Sequence, residues 1–282
     1  MKFLRFKNNG GVLLALEVDG DYISVAELLG KKDGTVDLKD VFGRESEIEA
    51  ELKKGEYSYI AAKGRDYAPA VGVPGKIICI GLNYRSHIAE TEKKVPDNPV
   101  IFSKYPNSLA GHMESIRIPE PGLKVDYEGE FGVIIGRTAR NVGDDFNRYI
   151  FGYFIGNDVS SRELQYRTSQ YLLGKTLDGF YPNGPSIVTR DEIPDPQDLW
   201  IRTVVNGSLR QDSSTSNMIF SIGKLISYIS SYLTLEPGDI ISTGTPDGVV
   251  LGMKDKEDNW LKPRDSVEVS IEGLGTLKNS FI

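Results

Sequence analysis

Three acids stand at alternate positions in Asp126-Tyr127-Glu128-Gly129-Glu130. The run that follows, Phe131-Gly132-Val133-Ile134-Ile135, is apolar and reads as a buried strand. Side chains two apart on a strand share a face, so Glu128 and Glu130 sit side by side, with Asp126 extending the row. Like charges held this close beside an apolar strand repel. A hard divalent cation removes the repulsion. A carboxylate pair, a third acid from elsewhere and retained waters make a Mg²⁺ site. The competing reading is a solvated acidic strand end, where unpaired acids usually lie.

His87 is one of two histidines and falls in Tyr84–Lys94, a charged segment of helix-forming composition. Glu90 lies three residues on, within reach on the same helical face. A carboxylate beside an imidazole raises its basicity and orients it. Standing alone, His87 would read as a surface histidine. Gly174-Lys175-Thr176 looks like the end of a phosphate-binding loop, but that loop needs a glycine at position 169, which is Ser169. The nucleotide reading fails, and on its own Lys175 reads as a surface lysine.

The elements that must position these groups are mostly strands. The 282 residues suit one large domain with a small appendage. Residues 1–72 read as a small N-terminal domain of short strands broken by Asn-Gly and Asp-Gly turns, with a polar helix over 44–54. Prolines and glycines between Pro69 and Gly75 read as the linker to a body over 73–282. In the body, Lys76–Ile80, Val100–Ser103, Glu130–Ile135, Phe151–Ile155, Ser186–Thr189 and Trp200–Val205 read as strands. Ser160-Ser161-Arg162-Glu163 fits a capping box that starts a helix at Ser160. Met218–Leu233 is the clearest helix, with Ile222, Ile226, Ile229 and Leu233 on one apolar face. No regular βαβ alternation appears, so the expected class is strand-rich α+β, a curled mixed sheet with peripheral helices.

The formal net charge of −7 and the lack of a basic patch argue against a nucleic-acid partner. Cys79, the only cysteine, lies in an apolar run and reads as core, which fits a reducing compartment. Val12–Leu16 is too short for a signal peptide and no run approaches a membrane span, so a cytoplasmic location without a membrane partner is expected.

From about Gly75 onward the chain resembles the fumarylacetoacetate hydrolase family. The resemblance rests on five motifs in family order. They are Ile80-Gly81-Leu82-Asn83-Tyr84-Arg85-Ser86-His87, Asp126-Tyr127-Glu128-Gly129-Glu130, the stretch Gly156 to Gln165, Leu173-Gly174-Lys175-Thr176, and Ser242-Thr243-Gly244-Thr245-Pro246. The resemblance implies a mixed β-sandwich roll, a bound Mg²⁺ or Mn²⁺, and 2-oxo or 2,4-dioxo acids as substrates. Carried over by position, it makes Glu128, Glu130 and Asp158 the metal ligands and leaves Asp126 out. Some members carry a further aspartate before the lid histidine; Asn83 stands there, which implies the three-carboxylate form.

The resemblance also implies that His87, supported by Glu90 on a lid, is the base and that Lys175 faces a developing oxyanion. Arg162 and Gln165, expected to be exposed on one helix face, resemble substrate-carboxylate and water-positioning residues. Thr245 lies in a glycine-flanked turn suited to binding a carboxylate. His112 stands where the family uses nothing and reads as structural. Two further stretches, Arg210 to Phe220 and Leu235 to Gly244, are closest in look to hydrolases of 2,4-dioxo-3-deoxy sugar acids. The implied activity is hydrolysis of a C–C bond in an acylpyruvate-type 2,4-dioxo acid, releasing pyruvate, by a homodimer. The alternatives are decarboxylation or isomerisation of a related 2-oxo acid, or a non-catalytic binding protein on the same scaffold.

Overall fold

The computed structural model describes residues 1–282 apart from 9, 32, 33, 35, 62, 63, 65 and 92. Its main sheet runs, edge to edge, through Asp21–Ser24, Gly11–Val18, Lys2–Asn8, Tyr181–Thr189, Ile150–Asn157, Gly129–Ile135, Ile240–Ser242, Ile77–Gly81 and Val100–Ser103. Leu109–Ala110 pairs in parallel beside Tyr181–Thr189. A second sheet orders Ser208–Ser214, Trp200–Val205, Ser266–Ile271, Gly275–Phe281 and Ser115–Ile116. Most pairings are antiparallel, but Ile240–Ser242 runs parallel to Ile77–Gly81, so the large sheet is mixed. The class is therefore strand-rich α+β, as the sequence pattern indicates.

Burial follows position in the sheet. Gly129–Ile135 and Ile150–Asn157 are buried at every residue, as central strands covered on both faces must be. Successive side chains go to opposite cores: Phe131, Val133 and Ile135 to one, Ile134 to the other. The first core lies between the two sheets. The second is closed by N-terminal residues such as Leu28, Leu38 and Ile48. Ser266–Ile271 in the small sheet instead alternates buried with half-buried positions, leaving one face toward water.

The first three strands extend the large sheet, with Phe3 opposite Ile187. A division at 72/73 thus cuts across one continuous sheet. The Asp19-Gly20 hairpin has both residues at positive φ, 52° and 86°. The expected Asn9-Gly10 turn involves residue 9, outside the described residues.

Several helices are shorter than the sequence suggests. Among the described residues of the 84–94 segment, Arg85–Glu90 are helical. The apolar-faced helix is Ile222–Tyr232, started by the Ser221 side chain accepting from Lys224 N–H; Thr215–Asn217 before it is a 3₁₀ turn. Ser160 does not start a helix. Ser160 and Ser161 pair with Val125–Asp126, and Ser161 caps the helix Arg162–Gln165. The capping pattern is satisfied one residue later because the backbone at Ser160 is held by that pairing. Among the described residues no helix is long and apolar enough to cross a membrane.

Candidate active site

The site forms where the central strands end. Gly129–Ile135 and Ile150–Asn157 pair with Glu130 opposite Gly156 and Gly129 opposite Asn157. Beyond the ladder, Asp158 N–H donates to the Glu128 carbonyl at 2.8 Å, and Glu128 N–H donates to Asn157 Oδ1 at 2.9 Å. These bonds bring Glu128, Glu130 and Asp158 together: one oxygen of each lies within 4.8 Å of the others, and all three residues are buried. Gly129 lies against the second sheet so closely that a Cβ there would come within 2.4 Å of Thr203 Oγ1.

Charge around the triad is uneven. Lys175 Nζ donates to Glu128 Oε2 at 2.6 Å and to Asp158 Oδ2 at 2.8 Å. Arg162 Nη2 lies 2.6 Å from Glu128 Oε1. Burial pushes the Glu128 carboxyl up, but Lys175, Arg162 and His87 outweigh it and hold it down to about 2. Burial also pulls the Lys175 ammonium down, and Asp158 and Glu128 together hold it above its ordinary range. Among the described residues no cation pairs with Glu130. Its Oε2 accepts from the Ser242 hydroxyl and from Gly244 N–H, and burial, Asp158 and Glu128 push it up to about 8. With Asp126, which shares Arg162, four buried carboxylates meet three buried cations, Lys104, Lys175 and Arg162, and burial and its neighbours drive Glu130 to keep a proton. An all-oxygen donor set of this kind fits a hard divalent cation.

His87 stands in the same chamber, with Glu90 behind it. His87 Nδ1 lies 2.8 Å from Glu90 Oε1, and Glu90 Oε2 accepts from Gly248 N–H at 2.9 Å. A Cβ on Gly252 would fall 2.5 Å from the Glu90 carboxyl, so the 248–252 loop closes tightly around it. His87 is buried and lines the cavity with Glu128, Glu130 and Lys175. Its Nε2 has no protein partner among the described residues.

Asp126 does not extend the acid row. Its carboxylate accepts from Arg162 Nε and Nη2 at 2.9 and 2.8 Å, and from the Val250 and Leu251 N–H groups at 2.8 and 3.0 Å. It holds the arginine and the loop instead. Arg162 and Gln165 are buried rather than exposed as the sequence suggests. The helix that carries them is one turn long and faces inward, where Asp126 and Glu128 hold the guanidinium and Arg162 Nη1 donates to Gln165 Oε1 at 2.8 Å. The Thr245 hydroxyl donates to the Gly129 carbonyl at 2.9 Å and accepts from Gln211 Nε2 at 2.8 Å. It lines the cavity, but its hydrogen bonds go to the frame. His112 lies outside the site, against Tyr67, with Nδ1 accepting from Lys278 N–H. Asn83 is buried and holds backbone groups of Phe220 and Thr243.

Sequence reasoning passed over two groups that touch the triad. Buried Lys104 donates to Asp158 Oδ1, opposite Lys175. Ser242, which holds Glu130, is itself a partner of the Tyr181 hydroxyl at 2.7 Å. A lysine directly after the apolar Val100–Ser103 was the available signal for the first.

The model of the fumarylacetoacetate (FAA) hydrolase C-terminal domain matches residues 76–282. The chain belongs to the fumarylacetoacetate hydrolase family. It is 44% identical over 211 residues to the mitochondrial oxaloacetate tautomerase Fahd2a of Rattus norvegicus, covering 74% of this chain and 67% of that one. Among solved structures, the fumarylacetoacetate hydrolase of Exiguobacterium antarcticum superposes with a TM-score of 0.87 at 37% identity, covering 100% of this chain and 99% of the other. The maleylpyruvate hydrolase of Sphingobium sp. SYK-6, solved with manganese(II) and pyruvate, gives 0.83 at 27% identity with the same coverage.

Proposed function

We propose that the chain is a divalent-metal enzyme of 2-oxo acids whose reaction is proton transfer at the carbon beside the 2-oxo group. The observation that carries this reading is buried His87, held by half-buried Glu90, whose imidazole lines the same chamber as Glu128 and Glu130 with one ring nitrogen free. Glu128, Glu130 and Asp158 would hold Mg²⁺ or Mn²⁺, and when bound the ion would supply Lewis acidity at the 2-oxo carbonyl. Glu90 fixes the imidazole through Nδ1 and leaves Nε2 to take the proton from the adjacent carbon. Two of the three Lys175 N–H groups are used by Glu128 and Asp158, and the third is available to the oxygen on which charge develops. Delivery of a proton to that oxygen completes the keto-to-enol change, and the reverse sequence restores the ketone. Arg162 keeps Glu128 ionised and oriented, and Asp126 keeps Arg162 in place.

The motifs alone favour hydrolysis of an acylpyruvate. The order changes because a relative at 44% identity is named an oxaloacetate tautomerase. Hydrolysis is the second reading, favoured by the likeness to a maleylpyruvate hydrolase. There His87 would take a proton from water, which attacks the carbonyl two carbons along.

The test follows three rates on one metal-loaded preparation: oxaloacetate enolisation, oxaloacetate decarboxylation, and pyruvate release from an acylpyruvate. Enolisation is expected to be fastest, and His87→Ala to lower it by about a hundred- to ten-thousand-fold. Decarboxylation, which needs an electron sink but no base, should fall far less. Faster pyruvate release than enolisation would establish hydrolysis instead. A His87→Ala protein with parental rates for both reactions would remove His87 as the base.

A further inference from the structure

The chamber has an inner and an outer part. The inner space, about 80 Å³, is lined by Glu128, Glu130, His87 and Lys175. That is well below the roughly 300 Å³ at which small-molecule pockets usually begin, and it suits only the reacting end of an acid. Outside it lies a second space of about 400 Å³. Thr91, Lys93, Tyr166 and Leu251 line both, so any longer ligand passes this ring.

The cations of the two parts differ in what they have left to offer. Arg162 is shared by Asp126 and Glu128, and Lys175 by Glu128 and Asp158. Lys93 has no carboxylate partner among the described residues. Its ammonium stands 5.9 Å from the centre of the Tyr166 ring, and the side chain is exposed at the rim. Glu90, the acid nearest in the outer space, has its oxygens engaged by His87 and Gly248 N–H. Lys256 lines the outer space but not the inner one. An anion arriving at the ring therefore meets an unshared ammonium.

We infer that Lys93 binds a second carboxylate, at the end of the substrate remote from the 2-oxo group, and so sets a preference for dicarboxylic over monocarboxylic 2-oxo acids. This rests on the reading of the chamber as a 2-oxo acid site. An ion pair to an ammonium at an exposed rim is worth up to about fivefold in affinity. Lys93 N–H also donates to the Ile88 carbonyl at 3.1 Å, so the contact ties the substrate's far end to the helix that carries His87.

Calorimetry with the Mg²⁺-saturated protein tests this with two matched pairs: 2-oxoglutarate against 2-oxopentanoate, and 2-oxoadipate against 2-oxohexanoate. Each pair differs only in a terminal carboxylate or methyl. The parent should bind at least one dicarboxylate about two- to fivefold tighter than its match. Lys93→Met should bring that dicarboxylate to the affinity of its match and leave the methyl-ended acid unchanged, while Lys256→Met retains most of the preference. Equal affinities within both pairs in the parent, a preference that survives Lys93→Met, or an equal loss for both members of a pair would overturn the assignment while the 2-oxo acid reading stands. Failure of the parent to bind any of the four would overturn both.

Discussion

Glu130 is the residue whose charge state depends most on what fills the site. Its carboxyl is raised from an ordinary 4.5 to about 8 by burial and by Asp158 and Glu128. A carboxyl raised in the fold contributes stability that is present below its unfolded value and is lost as pH rises through its folded value. The metal-free protein should therefore lose stability between about pH 4.5 and 8, by an amount on the order of a few kcal/mol. Glu128, held down to about 2, acts in the opposite sense and only in acid, below about 4.5. Thermal unfolding across this range checks the point. Glu130→Gln should flatten the decline in the metal-free protein and weaken Mg²⁺ binding by calorimetry. A parallel decline in parent and variant would rule out Glu130 as its source. At this scale the sequence was informative where a motif held several chemical groups in one run, as in Asp126 to Glu130. Lys104 and Ser242 escaped because each is a single residue whose acid partner lies 54 or 112 positions away. Only the fold supplies that proximity.

Among the elements, the helix Arg85–Glu90 brings His87 to the chamber wall and Glu90 to the loop across it. It is six residues long, and the Glu90 to Gly248 bond ties its end to the loop across the chamber. A helix this short has little stability of its own, so closure depends on that bond, on the burial of His87 and Ile88, and on what lies beneath. We expect the amides of 85–91 to exchange faster than those of Gly129–Ile135, and an oxalate–Mg²⁺ complex to slow them. Equal exchange of this helix with and without oxalate would mean that closure does not depend on the ligand. Composition indicates a helix here and periodicity one after Ser221, and both expectations run past the helices observed. In 84–94 the expectation rests on polar, charged residues, and helix propensity alone is a weak guide to where a helix ends. At Met218 the periodicity continues into a segment that a 3₁₀ turn and the Asn83 side chain hold in another conformation. The Arg162–Gln165 helix was placed nearly correctly and faced wrongly. Its capping motif reports where the chain turns, and the buried partners of Arg162 determine which way it faces.

For the molecule as a whole, the strand Val100–Ser103 links the outside to the site. It closes one end of the large sheet, bonded to Ile77–Gly81 and with its other edge open. An open edge is a place for another chain to pack unless something blunts it. Here Ile101, Tyr105 and Leu233 are exposed around a groove of about 460 Å³ beside that edge. The same strand points Phe102 into the chamber, where Lys175 Nζ lies 5.0 Å from its ring centre, and leads directly to Lys104 on Asp158. A partner seated on Ile101 would thus press on the strand that backs the acid triad. We predict a homodimer of the 31.2 kDa chain using this edge, seen by light scattering as about twice the monomer mass. Ile101→Glu puts a charge into that contact without touching the chamber and should shift the population to monomer. It should also weaken Mg²⁺ binding, because a strand that loses its outer support holds Phe102 and Lys104 less firmly. A parent protein at monomer mass would dispose of the dimer. A monomeric Ile101→Glu protein with parental metal affinity would keep the dimer but separate it from the site, making the edge a matter of assembly alone.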